Sequence, residues 1–164
     1  MASDLETRMQ LSFARESVSA ARNRLYAAKV KKDGQTQSAR LLSALARGEE
    51  ISARRSLIYL RGKISTIEDH LAALQKTKQA LADEVYSRDR QVAREAGNKS
   101  ADAALDQFAQ VNANHAARLD ELTAGGPDRT YYVCQVCGYI AADRIPDKCP
   151  VCGAVPERFK EEDF

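Results

Sequence analysis

The chain has 164 residues, 44% of them hydrophobic and 6% aromatic, which is enough for one well-cored domain and one small module. Its charge is nearly balanced, with 20 basic against 17 acidic residues up to Asp128 and 5 against 6 after it, so neither part carries the basic footprint of a nucleic-acid binder. No run approaches the ~20 apolar residues of a membrane span, and Asp4, Glu6 and Arg8 interrupt the stretch a signal peptide would need; a cytoplasmic protein with no membrane partner is expected.

No proline precedes Pro127, and Gly34, Gly62, Gly97 and Gly125-Gly126 punctuate the first part of the chain, a pattern that predicts long helices. Ser3 and Glu6 make a capping box, after which Leu5, Met9, Phe13, Glu16, Ala20, Asn23 and Ala27 recur on one face of a first helix ending near Lys32. The second stripe is Leu42, Leu45, Glu49, Ser52, Ser56 and Tyr59. The third is Ile67, Leu71, Leu74, Lys78, Leu81 and Val85, and the fourth Leu105, Phe108, Asn112, His115, Leu119 and Leu122. Four long amphipathic helices predict an all-α four-helix bundle. Gly48 lies inside the second pattern, where glycine costs about 1 kcal/mol relative to alanine, and so predicts close packing or a kink there.

The pattern also repeats. Leu42, Ala46, Glu49, Ser52 and Ala53 correspond at a constant offset of 63 to Leu105, Ala109, Asn112, His115 and Ala116, and Gly34 to Gly97. Two helical hairpins related by duplication, joined by a connection around Gly62 to Ser65, account for this. Thr123 to Thr130 has linker composition. The expected division is a bundle over 1–124, a linker over 125–130 and a small metal-binding domain over 131–164.

All four cysteines fall within that last segment, as Cys134-Gln-Val-Cys137-Gly and Cys149-Pro-Val-Cys152-Gly with eleven residues between the pairs. Two such knuckles facing each other can surround one tetrahedral ion. Gly138 and Gly153 follow each second cysteine, where a tight turn lets backbone N–H groups point at sulfur. Four free thiols or two disulfides are the alternatives, but so short a module has little apolar surface with which to fold unstapled. Iron and zinc both accept four thiolates, and the ligand set alone does not choose between them.

The stretch Tyr131-Tyr-Val-Cys-Gln-Val-Cys-Gly-Tyr-Ile140, with Asp147-Lys-Cys-Pro-Val-Cys-Gly153 and Phe159, resembles the rubredoxin-like module at the C-terminus of rubrerythrins. That resemblance implies one iron per chain at Cys134, Cys137, Cys149 and Cys152, shuttling single electrons, with zinc as a possible substitute. Tyr132, Tyr139, Ile140 and Phe159 are the expected apolar shell. Upstream, Phe13-Ala-Arg-Glu16-Ser17, Ala21-Arg-Asn-Arg24 and Lys31-Lys-Asp-Gly34 resemble the first helix of the family's ferritin-like bundle, which carries a di-iron carboxylate site.

Matched by the family's spacing from each glycine, the first-helix ligand falls on Glu16 and the second helix's Glu-x-x-His on Glu49 and Ser52. The third helix's carboxylates fall on Lys78 and Leu81, and the fourth helix's Glu-x-x-His on Asn112 and His115. Only Glu16, Glu49 and His115 are of the ligand types required, so a di-iron centre is not expected. These three could hold a single metal, although His115 as a hydrogen-bonded core histidine is the blander reading. Lys78 is expected to stand in for the missing ions by pairing with Glu16 and Glu49, the alternative being that it snorkels to the surface along its aliphatic stem. The readings are then an electron-transfer protein working through its cysteine-bound iron, a rubrerythrin-type peroxide reductase, or a structural protein with zinc. The resemblance further implies a homodimer, served by a redox partner protein that the sequence does not identify.

Overall fold

The computed structural model describes residues 4–61 and 66–163. The connection expected around Gly62 to Ser65, and Ser3 of the expected capping box, lie outside the described residues. The chain divides into two compact units, Met1–Ser65 and Thr66–Phe164.

The first unit is a helical hairpin of α1 (Asp4–Lys32) and α2 (Thr36–Arg61). Gly34, at φ +78°, turns the chain between them. Its N–H bonds to Lys31 O at 3.2 Å and that of Gln35 to Val30 O at 2.9 Å, the paired bonds of a Schellman ending. The helices meet through small side chains: Ala20 and Ala27 on α1, and Ala39, Ala46 and Ala53 on α2, are all buried. Small side chains at a helix contact let the two backbones approach more closely than large ones would.

The small-residue contact also corrects the second stripe. Leu45 and Tyr59 are exposed, at 47% and 53%, and Ser52 is exposed as well, while the buried line runs through Ala39, Ala46, Ala53 and Ser56. A stripe drawn through the larger apolar residues is rotated away from the seam the alanines form. In the first stripe Leu5 likewise lies exposed. Gly48 has neither of its expected causes: α2 runs unbroken through it, and a Cβ there would meet nothing within 4 Å.

The second unit opens with α3 (Ile67–Ala80), whose Thr66 side chain caps Asp69 N at 3.2 Å. A π-helical turn, Leu81–Val85, carries it into α4 (Tyr86–Glu95), and α5 (Lys99–Thr123) returns antiparallel. The 63-residue offset read from sequence holds for the elements themselves, since Asp4–Lys32 maps onto Ile67–Glu95 and Thr36 onto Lys99. Gly97 repeats the Schellman ending of Gly34, with Gly97 N to Arg94 O at 2.9 Å and Asn98 N to Ala93 O at 2.8 Å. The π turn has no counterpart in α1. Its wider winding advances the inward face, so Val85 is exposed at 39%, Ala82 is buried and Tyr86 is half-buried. Phe108 and Leu122, also expected inside, are exposed at 47% and 52%. An ion-pair network ties α4 to α5: Arg90 Nε and Arg94 Nε donate to the two carboxylate oxygens of Asp102 at 2.8 and 3.0 Å, and Arg90 also pairs with Asp106.

Gly125 and Gly126 end α5 with a third Schellman motif, and a Cβ on Gly126 would lie 2.6 Å from Glu121 O. The chain then forms a three-stranded antiparallel sheet of order β2-β1-β3, from β1 (Tyr131–Cys134), β2 (Ile140–Ala142) and β3 (Phe159–Glu161).

Candidate metal centre

The four cysteines are brought together by two equivalent turns. In one, Gly138 N bonds to Cys134 O at 2.9 Å and Cys134 N to Tyr139 O at 2.9 Å; in the other, Gly153 N bonds to Cys149 O and Cys149 N to Ala154 O, both at 2.8 Å. Gly138 and Gly153 have φ of +86° and +71°, which an L side chain rarely adopts, so each turn requires its glycine. All four sulfurs lie within 4.8 Å of one another, with Cys134 to Cys152 at 3.7 Å and Cys137 to Cys149 at 3.5 Å. Four metal–sulfur bonds of ~2.3 Å in a tetrahedron give edges of about 3.8 Å. The sulfurs therefore stand close to where one tetrahedral ion needs them, and none is in a disulfide. Among the described residues this is the one group of three or more cysteine, histidine or carboxylate side chains close enough to share an ion.

The electrostatics of the site suit thiolates unequally. Desolvation opposes ionisation of Cys134, but the N–H groups of Cys137 and Val136 aimed at its sulfur outweigh it and hold this thiol below the ordinary range. Desolvation dominates at Cys137 and Cys152 and pushes both up, despite N–H bonds from Tyr139 and Ala154 respectively. A cation among the four sulfurs offsets that desolvation, which is why metal binding and folding of such modules are coupled.

Cys134 and Cys149 are buried at 1% and 3%, and pack with Ala141 and Phe159, flanked by Tyr132, Tyr139 and Val151. Three of the four expected shell residues are thus present. Ile140 is not among them, because the strand's alternation turns Ala141 inward and Ile140 the other way. Ile140 instead meets α5. Its N–H donates to Asn114 Oδ1 at 2.9 Å, and its carbonyl accepts from Asn114 Nδ2 at 3.1 Å. Beside it, His115 Nε2 lies 2.8 Å from Gly138 O; a carbonyl only accepts, so Nε2 carries the proton. Burial, together with the charge of Lys78, holds the His115 pKa below its usual value against the opposing pull of the Gly138 bond. Asn114 had no sequence signal, since nothing in its periodicity distinguishes it from a solvated helix residue.

The remaining expected site residues are placed as follows. Glu16 is half-buried on α1. Glu49 on α2 accepts from Ser19 Oγ at 2.7 Å and from Asn23 Nδ2 at 3.1 and 2.9 Å, so both its oxygens have donors within its own unit. Asn112 is buried at 8% and donates to Phe108 O, leaving Oδ1 without a partner. Lys78 is half-buried and lines a cleft beside His115 in the second unit.

A four-cysteine ion site on a small sheet, following two helical hairpins, defines a metal-binding module carried by a helical domain. Residues 132–160 match the family of rubrerythrin, rubredoxin-like domains. Solved structures of nigerythrin in its mixed-valence, partially reduced and fully reduced, all-ferrous states are each similar to the chain at 20% identity and a TM-score of 0.55, covering 99% of this chain and 88% of the other. No curated protein sequence matches significantly. The fold is therefore similar to that of nigerythrin, with a rubredoxin-like domain matched over residues 132–160. The family match thus concerns the cysteine module, and the helices are similar in fold alone.

Proposed function

We propose that the chain is a one-electron carrier in which Cys134, Cys137, Cys149 and Cys152 hold a single iron, mounted on ferritin-like helices that no longer build a di-iron centre. The convergence of the four sulfurs to within 4.8 Å of one another carries this reading. Iron held there would supply reversible one-electron chemistry. The protein's part is to keep the sulfurs fixed by two glycine turns, to spread their negative charge onto backbone N–H groups and to screen them behind Phe159 and Tyr132. Zinc would suit the same geometry. Iron is preferred because nigerythrin is known in mixed-valence and all-ferrous states.

The helices support a carrier over a peroxide reductase. Ser52, Lys78, Leu81 and Asn112 stand where the family resemblance asks for ligands, and of the three suitable residues Glu49 and His115 already have other partners. Two glutamates and an imidazole neither neutralise two ferrous ions nor fill two coordination shells. We further propose a homodimer in the cytoplasm that exchanges electrons with a partner protein. Among the described residues no helix is long and apolar enough to cross a membrane, and Leu11, Val18, Leu25, Ile51 and Ile58 of the first hairpin are exposed apolar residues available to a second copy.

The test is anaerobic reduction of the purified, iron-loaded chain. Visible absorption that bleaches with dithionite and returns in air, with hydrogen peroxide consumed no faster than by free iron, is expected. A colourless protein holding zinc when iron was supplied in excess, or enzyme-like turnover of peroxide at about 1 per second or faster, contradicts the proposal.

A further inference from the structure

One cleft of the second unit has no part in holding the ion. It encloses about 350 Å³, towards the lower end of the ~300–1,000 Å³ of small-molecule sites. Its wall is apolar, made by Leu74 of α3, Leu119 and Leu122 of α5, and Val133 and Ile140 of the sheet. Strand alternation creates it: the residues on one face of the sheet close around sulfur, and Ile140 on the other leans towards α5.

The charged groups of this cleft are not equivalent. Arg118 is engaged by Glu121 at 2.7 Å. His115 is tied to Gly138 O and held towards its neutral form by burial. Glu162 lines the cleft but makes no ion pair with Lys78, and no other described carboxylate of the second unit does so. Lys78 is thus a half-buried residue lining an apolar wall, with no ion-pair partner among the described carboxylates of its own unit. Such a charge is costly unless paired, and pairing is stronger away from bulk water.

We propose that this cleft binds a small amphipathic organic anion, a carboxylate or sulfonate with an apolar body, whose head group pairs with Lys78 and whose body lies against Leu74, Leu119, Leu122, Val133 and Ile140. Charge complementarity selects the head group and the scarcity of polar wall selects the body. Because Val133 adjoins Cys134, and Ile140 follows the Cys137 turn, the ligand lies beside the metal module without touching its sulfurs.

The experiment uses the full metal-loaded chain and the dye 8-anilinonaphthalene-1-sulfonate, titrated by fluorescence and displaced by decanoate, 1-decanol or decylammonium. One saturable site per chain is expected, with decanoate displacing the dye at least about tenfold better than decanol, and decylammonium not at all. Lys78→Gln should weaken decanoate by about tenfold and Lys78→Arg should retain most of its binding. Equal displacement by decanol and decanoate, or an unchanged affinity in Lys78→Gln, overturns the proposal. Absence of any saturable site also does, including the case in which a second copy of the chain covers the cleft. Should Lys78→Gln fail to fold, a decanoate carrying a diazirine, crosslinked to the unaltered chain, decides instead. Adducts within 74–78, 115–122 or 131–140 support the cleft, and adducts found only elsewhere overturn it.

Discussion

Gly48 is helical and exposed, and a Cβ added there would meet nothing within 4 Å. Glycine in a helix interior forfeits backbone entropy for no return at such a place, so Gly48→Ala should stabilise the chain by about 1 kcal/mol, read as a raised urea midpoint with unchanged slope. A destabilised variant would point to a contact made at Gly48 by something outside the chain. Cys149 is the opposite case, 3% exposed and one corner of the sulfur tetrahedron. Cys149→Ser should lose stoichiometric metal and leave residues 131–164 unfolded, while the helices, which have their own alanine seams and ion pairs, keep their far-UV circular dichroism. Loss of helical signal in step with loss of metal would mean that the module and the second hairpin, which cluster as one unit over 66–164, also unfold as one, against the expected division at 125–130.

At the scale of elements, the hairpin of α4 and α5 leans on Asp102. Hydrogen bonds from Arg90 and then Arg94 hold its carboxyl below the usual carboxylate range, against desolvation. A depressed folded pKa contributes stability that is complete above the unfolded value of ~3.9 and fades as pH falls through the lower, folded value. Asp102→Asn should therefore melt lower than the parent at neutral pH, with the gap closing as pH is taken below about 4, as followed by thermal melts. A gap that is constant with pH would mean that Asp102 acts by packing rather than by charge.

Much of this architecture was legible in the sequence. Gly34 and Gly97 at equal offset gave both hairpin turns, and proline's absence gave the helix lengths, because these signals are local. The face of α2 was misjudged because periodicity weights large side chains, whereas this seam is made of alanines. The π turn at Leu81–Val85 shifts a phase that a fixed helical period cannot follow. The ion site was readable from two Cys-x-x-Cys-Gly turns, since each turn makes its own geometry. Its attachment to α5 through Asn114 and His115 was not, because hydrogen bonds between residues 26 and 23 apart leave no pattern in either segment.

For the whole molecule, the assembly proposal predicts sedimentation at twice the 18.1 kDa chain mass, and a monomer at micromolar concentration would contradict it. The central claim is that metal chemistry resides in the four cysteines alone. Its most direct measurement is the metal content of protein produced in iron-rich, zinc-limited medium, determined by mass spectrometry against amino-acid analysis. About one iron per chain is predicted, falling to none in Cys149→Ser, as expected for a single tetrahedral thiolate site. Two or three irons per chain, or iron that survives the loss of Cys149, would contradict it and return the helices to metal chemistry.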